Sequence, residues 1–265
     1  MTMRKVRAIR YVTPLREGGS LPAIIEADDL GSYVLKFRGA GQGPKALIAE
    51  LIGGEIARLL GLLVPEIVFV ELDARLGRNE PDSEIRELIT SSVGLNIALD
   101  YLPGSITFDP GADRWAVASA ELASKIVWLD AFLTNVDRTA RNANMLVWHK
   151  RLWMIDHGAS LYFHHNWKDH RLQAKNNFAA IKDHVLLFAS TPELIEAADA
   201  AANSILSMEE LTFITNLIPE TWLTWAAQSP VKEDPRAAYA EYLRTRLEYS
   251  QDFVREAIDA RARLV

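Results

Sequence analysis

The segment from Leu133 to Gly158 constrains this chain more than any other. It reads Leu133-Thr-Asn-Val-Asp137-Arg-Thr-Ala-Arg-Asn142-Ala-Asn144-Met-Leu and continues to Trp153-Met-Ile-Asp156-His157-Gly158. Asn144 to Trp148 and Leu152 to Ile155 are short apolar runs joined by His149-Lys150-Arg151, a spacing that predicts a β-hairpin. Upstream, Trp115 to Leu133 carries Val117, Leu122, Ile126, Leu129 and Phe132 on one helical stripe, which predicts a buried helix. Asp137 and Asn142 therefore fall on a loop between helix and hairpin. The hairpin then returns Asp156 to the end at which Asn142 sits, and Gly158 allows a sharp turn there. Taken singly, Asp, Asn and Gly are ordinary turn formers. Three of them around two apolar strands at this spacing are a candidate site.

The residue types fit one chemistry. Phosphoryl transfer asks a protein for hard oxygen ligands to a divalent metal and for a carboxylate that accepts a hydroxyl proton. Asp137 suits the acceptor, and Asn142 and Asp156 suit ligation of magnesium. The order D-x-x-x-x-N, short hairpin, D-x-G is the catalytic pattern of the protein-kinase fold.

The first third of the chain can be read against the same scheme. Val6 to Val12, Ala23 to Ala27 and Ser32 to Phe37 predict three strands. From Pro44 to Leu60 the period becomes helical, with Gly61 as a stop, and Glu66 to Leu72 and Leu95 to Leu102 return to strand. Lys36 lies in the apolar run Tyr33-Val-Leu-Lys-Phe37, where a charge is costly without a partner. Glu50 on the following helix is the preferred partner because Ala46, Leu47 and Leu51 flank it; Glu55 is the alternative. Gly18-Gly19-Ser20, between the first two strands, suits a loop whose backbone N–H groups cover phosphates. Leu99, Tyr101 and Leu102, before the turn at Pro103-Gly104, suit a segment that reads an adenine edge.

Composition removes other classes. There is no cysteine, so disulfides, thiolate metal sites and cysteine nucleophiles are excluded. A net charge of −6 argues against a nucleic-acid partner bound through phosphate neutralisation. Apolar runs such as Leu59 to Val64 are far short of a membrane span, and the first residues lack the apolar core of a signal peptide, so a cytoplasmic protein is expected. His164, His165 and His170 lie in a polar stretch without matched carboxylates, and Trp222 and Trp225 read as core. Pro235 to Leu264 predicts one long helix with a solvated charged face. The expected architecture is α+β and two-lobed, protein-kinase-like. Residues 1–102 form a lobe with an antiparallel sheet and one main helix, and residues 103–265 form a helical lobe carrying the catalytic loop and the metal-binding hairpin.

On these residues the chain resembles the HipA-like kinases, a bacterial branch of the kinase superfamily similar also to the phosphatidylinositol 3/4-kinases. The likeness rests on Leu35-Lys36-Phe37, on Ala49-Glu50 with Ala57-Arg-Leu-Leu-Gly-Leu-Leu-Val-Pro65, on Asn135-Val-Asp137-Arg138 through Asn142, and on Ile155-Asp-His-Gly158. The resemblance implies ATP and Mg2+ as cofactors, Lys36 on the ATP phosphates, Glu50 orienting it, Asp137 as catalytic base, and Asn142 and Asp156 on the metal. It implies transfer to a serine or threonine hydroxyl of a protein. A small-molecule or lipid kinase of the same fold, or a pseudokinase in a toxin–antitoxin pair, is the alternative. The large extra N-terminal subdomain of the full-length toxins is not expected, which puts the usual docking of an antitoxin-like partner in question. Some relatives phosphorylate a serine in their own phosphate loop, and Ser20 stands at that place.

Overall fold

The computed structural model describes residues 3–15, 21–78, 80–111, 118–167, 169–228 and 233–264. Gly18, Gly19 and Ser20 lie outside the described residues, as does the start of the helix expected from Trp115.

Strands β1 (Lys5–Pro14), β2 (Ala23–Ala27), β3 (Ser32–Lys36), β4 (Ile67–Leu72) and β5 (Gly94–Asp100) form a closed barrel in the order β1-β2-β3-β5-β4. Alternate residues such as Ile25, Tyr33 and Leu35 fill its interior. The antiparallel sheet expected from the sequence is corrected in one respect. It closes through a parallel pairing of β1 with β4, with Val6 opposite Val70. A helix separates β3 from β4, so the chain can return along the far edge and close the barrel there.

That helix, α1 (Pro44–Leu59), has Pro44 in its first turn and Gly61 at φ 77° just beyond its end. Leu47, Ile48, Leu51, Ile52 and Ile56 are all buried, so it is apolar around most of its circumference, as a helix packed on several sides must be. Its apolar residues share a core with the helical half of the chain, while the barrel interior forms a second cluster. Gly53 and Gly54 make the approach close: a Cβ at Gly53 would lie 2.8 Å from the His157 Cβ, and one at Gly54 would lie 2.3 Å from the Ile67 Cδ1. A short helix, α2 (Ser83–Ser91), is capped by the Asp82 carboxylate, which accepts from Glu84 N–H at 3.0 Å.

Beyond β5 come β6 (Ile106–Thr107), α3 (Ala120–Leu133), β7 (Met145–Trp148) and β8 (Arg151–Met154). The Ser119 hydroxyl caps α3 by accepting from Leu122 N–H, and β6, β7 and β8 form a three-stranded sheet. Helices α4 (His170–Gln173), α5 (Pro192–Ile205), α6 (Met208–Asn216), α7 (Pro235–Glu248) and α8 (Ser250–Ala262) follow, with 3-10 turns between α4 and α5 and between α6 and α7. No helix among the described residues is long and apolar enough to cross a membrane. Trp222 is fully buried, donates from Nε1 to the Leu95 carbonyl at 3.0 Å and packs edge-on against Phe69, which ties the helical half to the barrel.

The single long helix expected from Pro235 to Leu264 is in fact two, parted at Tyr249 (φ −108°). The break lets each helix meet a different partner. Arg246 on α7 donates to the carbonyls of Ala131 and Phe132 at the end of α3 (2.6 Å each), while Ser250 and Gln251 on α8 reach Asp199 (3.1 and 2.9 Å). Arg246 is therefore buried, and the expectation of a wholly solvated charged face is corrected with it.

α3 ends where Thr134 turns left-handed (φ 55°). From its last turn the fully buried Asp130 organises the loop that follows. Its Oδ1 accepts from Asn135 Nδ2 at 2.9 Å, and its Oδ2 accepts from Arg138 Nε at 2.6 Å and from His184 Nε2 at 2.9 Å. His184 Nδ1 accepts from Leu186 N–H at 3.1 Å, which leaves Nε2 as the protonated nitrogen. Burial would push the Asp130 carboxyl up, but Arg138 and His184 hold it at about 2.

Two outcomes follow from this network. Replacing Asp130 by Asn leaves Arg138 as an uncompensated buried cation and should cost about 3–5 kcal/mol, read from urea unfolding at neutral pH. The folded carboxyl titrates at about 2, below the unfolded value of about 3.9. The stabilisation is therefore complete above roughly pH 4 and lost as pH falls toward 2. Asp130→Asn should flatten that acid limb, and an unchanged limb would contradict the assignment.

Candidate active site

Lys36, the last residue of β3, points away from the barrel interior toward α1 with 13% of its side chain exposed. Its Nζ lies 2.6 Å from Glu50 Oε2 and 2.6 Å from Asp156 Oδ1. Glu50 is fully buried, and its Oε2 also accepts from the His157 backbone N–H at 2.8 Å. Glu55, the other carboxylate on the helix, pairs instead with Arg58 at 3.0 Å. Burial alone would push the Lys36 ammonium down, yet Asp156 and Glu50 raise it. Burial would likewise push the Glu50 carboxyl up, and Lys36 with His157 holds it at about 2. Both groups are therefore charged at neutral pH.

Asp156 follows β8 in a left-handed conformation (φ 55°), and its Oδ1 accepts from Gly158 N–H at 3.3 Å. Across the hairpin, Asp137 presents a carboxylate whose Oδ2 accepts from Asn142 Nδ2 at 2.7 Å and from Asn144 Nδ2 at 3.2 Å. The Asp137 N–H donates to Asn135 Oδ1 at 3.1 Å, and Thr139 N–H donates to the Asn142 carbonyl at 3.0 Å, so the loop closes on itself. Both amides act on one oxygen of Asp137, leaving Oδ1 without either of them.

The structure thus brings Asp137 to Asn142, and Lys36 to Glu50 and Asp156. Arg138 joins the two groups. Besides its bond to Asp130, it donates from Nη1 to the carbonyls of Asn144 and Ile155, the residues flanking the hairpin at that end. Asn135, Arg138, Asn144 and the His157 amide are working parts that the sequence reading quoted without assigning. Arg138 has no assigned partner in the sequence until Asp130, eight residues upstream in a helix, is placed beside it. Asn144 reads as the first residue of a strand, whereas its φ of 49° turns its amide back to Asp137.

Of the segment expected to read an adenine edge, Leu99 and Leu102 are buried and Tyr101 is 37% exposed. Asp100 N–H donates to the Glu66 carbonyl (2.8 Å) and Tyr101 N–H to the Ser32 carbonyl (3.0 Å), while Trp148 Nε1 reaches the Pro103 carbonyl (3.0 Å). The stretch around His164 and His170, expected to be polar and without matched carboxylates, is instead largely interior, and His170 has two carboxylates beside it. His164 is fully buried against the Tyr239 hydroxyl (3.0 Å), and His170 sits between Glu233 (3.2 Å) and Glu241 (3.7 Å), carboxylates that Arg171 also holds.

The residues present fit a divalent cation. Lys36 neutralises one of the two carboxylates it holds, so the cluster keeps one net negative charge. The donors on offer, the Asp156 carboxylate and the Asn142 side-chain oxygen, are hard oxygens, and the Asp156 side chain is 38% exposed.

The chain is similar to the Helicobacter pylori proinflammatory kinase CtkA, with 13% identity over 97% of this chain and 99% of that one and a TM-score of 0.54. A likeness to the Golgi casein kinase has 11% identity over 96% of this chain and 72% of that one, with a TM-score of 0.49. No curated protein sequence matches it. The sequence pattern of the HipA-like kinases matches residues 8–255. With a kinase fold and a family match over nearly its whole length, the chain belongs to the HipA-like kinase family and is a kinase-like phosphotransferase.

Proposed function

We propose that the chain transfers the γ-phosphoryl group of ATP, in the presence of magnesium, to a serine or threonine hydroxyl of a protein in the cytoplasm. The observation that carries this reading is the double pairing of Lys36 with Glu50 and Asp156 at 2.6 Å each. A buried lysine held between two carboxylates is set to meet phosphate oxygens, because its position is fixed before any ligand arrives.

In this reading Lys36 orients the phosphates and Glu50 orients Lys36. Asp137 Oδ1 takes the proton of the acceptor hydroxyl, whose oxygen forms a bond to the γ-phosphorus as the bond to the β–γ bridging oxygen breaks and ADP leaves. Asn142 and Asn144 hold the other Asp137 oxygen and so aim the carboxylate. Asn142 and Asp156 are the ligands for magnesium, which when bound neutralises charge on the phosphates. Gly18, Gly19 and Ser20 cover the phosphates, and Leu99, Tyr101 and Leu102 line the base between lobes that meet after Leu102.

Incubation with labelled ATP and magnesium, alone and with host lysate, should label a protein on serine or threonine. Asp137→Ala and Asp156→Ala should each lower transfer by about 100-fold or more while circular dichroism stays unchanged. Wild-type rates in both variants would overturn the roles. Magnesium–ATP at about 100 times its Kd should raise the unfolding temperature by several degrees, equivalent to about 2.7 kcal/mol. No shift at millimolar nucleotide would contradict nucleotide binding.

A further inference from the structure

We propose that Lys45 is a positioning residue that anchors the first turn of α1 to the segment after Asp156, thereby holding Glu50 on Lys36 without any phosphorylation of that segment. The inference rests on the phosphotransfer reading above for its catalytic consequence. The anchor itself stands on contacts alone.

Lys45 breaks a local rule. A cation in the first turn of a helix faces the positive end of the helix dipole, and burial pushes its ammonium down from the usual value. A residue that is locally unfavourable persists where tertiary contacts offset the cost, and such places are commonly functional. Here Nζ donates to the His164 carbonyl and lies 4.5 Å from the centre of the Trp225 ring.

Both partners belong to the helical half and are themselves fixed. The His164 ring bonds the Tyr239 hydroxyl, Leu161 N–H donates to the Leu133 carbonyl at 2.7 Å, Phe163 stacks on Tyr242, and Trp225 packs edge-on against Trp167 at 4.9 Å. Lys45 therefore joins α1 to a packed aromatic cluster rather than to a mobile loop.

Glu50 lies five residues along the same helix, about 7.5 Å down its axis. Movement of the first turn would carry Glu50 off the 2.6 Å contact to Lys36 and the 2.8 Å contact to His157 N–H. In protein kinases generally, the placement of this helix is what activation-loop phosphorylation controls. In this chain a backbone carbonyl and an aromatic face take the lysine directly, and neither needs to be modified in order to bind it.

The test uses Lys45→Met, which keeps the apolar stem, and Lys45→Arg, which keeps the charge. Two quantities are read: hydrogen exchange across residues 44–60, and ADP production from magnesium–ATP. Lys45→Met should raise exchange across α1 and lower kcat/KM for ATP about tenfold, while Lys45→Arg should restore both to within about twofold of wild type. Trp225→Leu, which removes the ring and leaves the carbonyl, should raise exchange part of the way; it serves as the second variant if Lys45→Met does not fold. Wild-type protection of α1 in both Lys45→Met and Trp225→Leu overturns the anchor. Equal losses in Lys45→Met and Lys45→Arg overturn it as well. Absence of ADP production by the wild-type chain would sink the phosphotransfer reading, and the exchange measurements would still decide the anchor.

Discussion

One ammonium group, Lys36 Nζ, holds the barrel, helix α1 and the turn after β8 in a single arrangement, because it bonds Glu50 and Asp156 at the same time. Burying such charges is costly, and a buried ion pair often stabilises a fold no better than well-packed apolar groups of the same volume would. The Asp156 carboxylate is still 38% exposed, so the cluster opens toward solvent on one side.

A second buried pair, Asp130 with Arg138, does for the loop what Lys36 does for the helix. Arg138 is 1% exposed and spends its donors on the end of α3 and on backbone carbonyls at the mouth of the β7–β8 hairpin. Asp137 and Asp156 come from separate elements: Lys36 holds Asp156 directly, and Arg138 fixes the backbone at Asn144, whose side-chain amide in turn holds Asp137. Between them α1 is packed so closely that Gly53 lies against His157, and its apolar residues join the core of the helical half. Because interiors are close-packed, a helix gripped on several sides behaves as a rigid body, and the position of Glu50 follows from the position of the whole element.

The sequence alone determined the strand and helix order through most of the chain and the class of fold, and it offered the residue types of a candidate site. These follow from local signals: period 2 against period 3.6, proline and glycine as punctuation, and oxygen-bearing side chains at fixed spacing around a hairpin. Lys36 announced a partner simply by being a charge in an apolar run. Tertiary structure decided the rest. Whether Glu50 or Glu55 meets Lys36 depends on the azimuth of α1 against the barrel, and a helical pattern with apolar residues on most sides does not fix that azimuth. The break at Tyr249 and the burial of Arg246 depend on carbonyls at the end of α3, more than a hundred residues earlier in the chain. Arg138, Asn144 and His157 acquire roles from neighbours that only folding supplies. Sequence spacing records which groups a segment can offer, but the cost of burying a charge is settled by whichever residue stands opposite it in space.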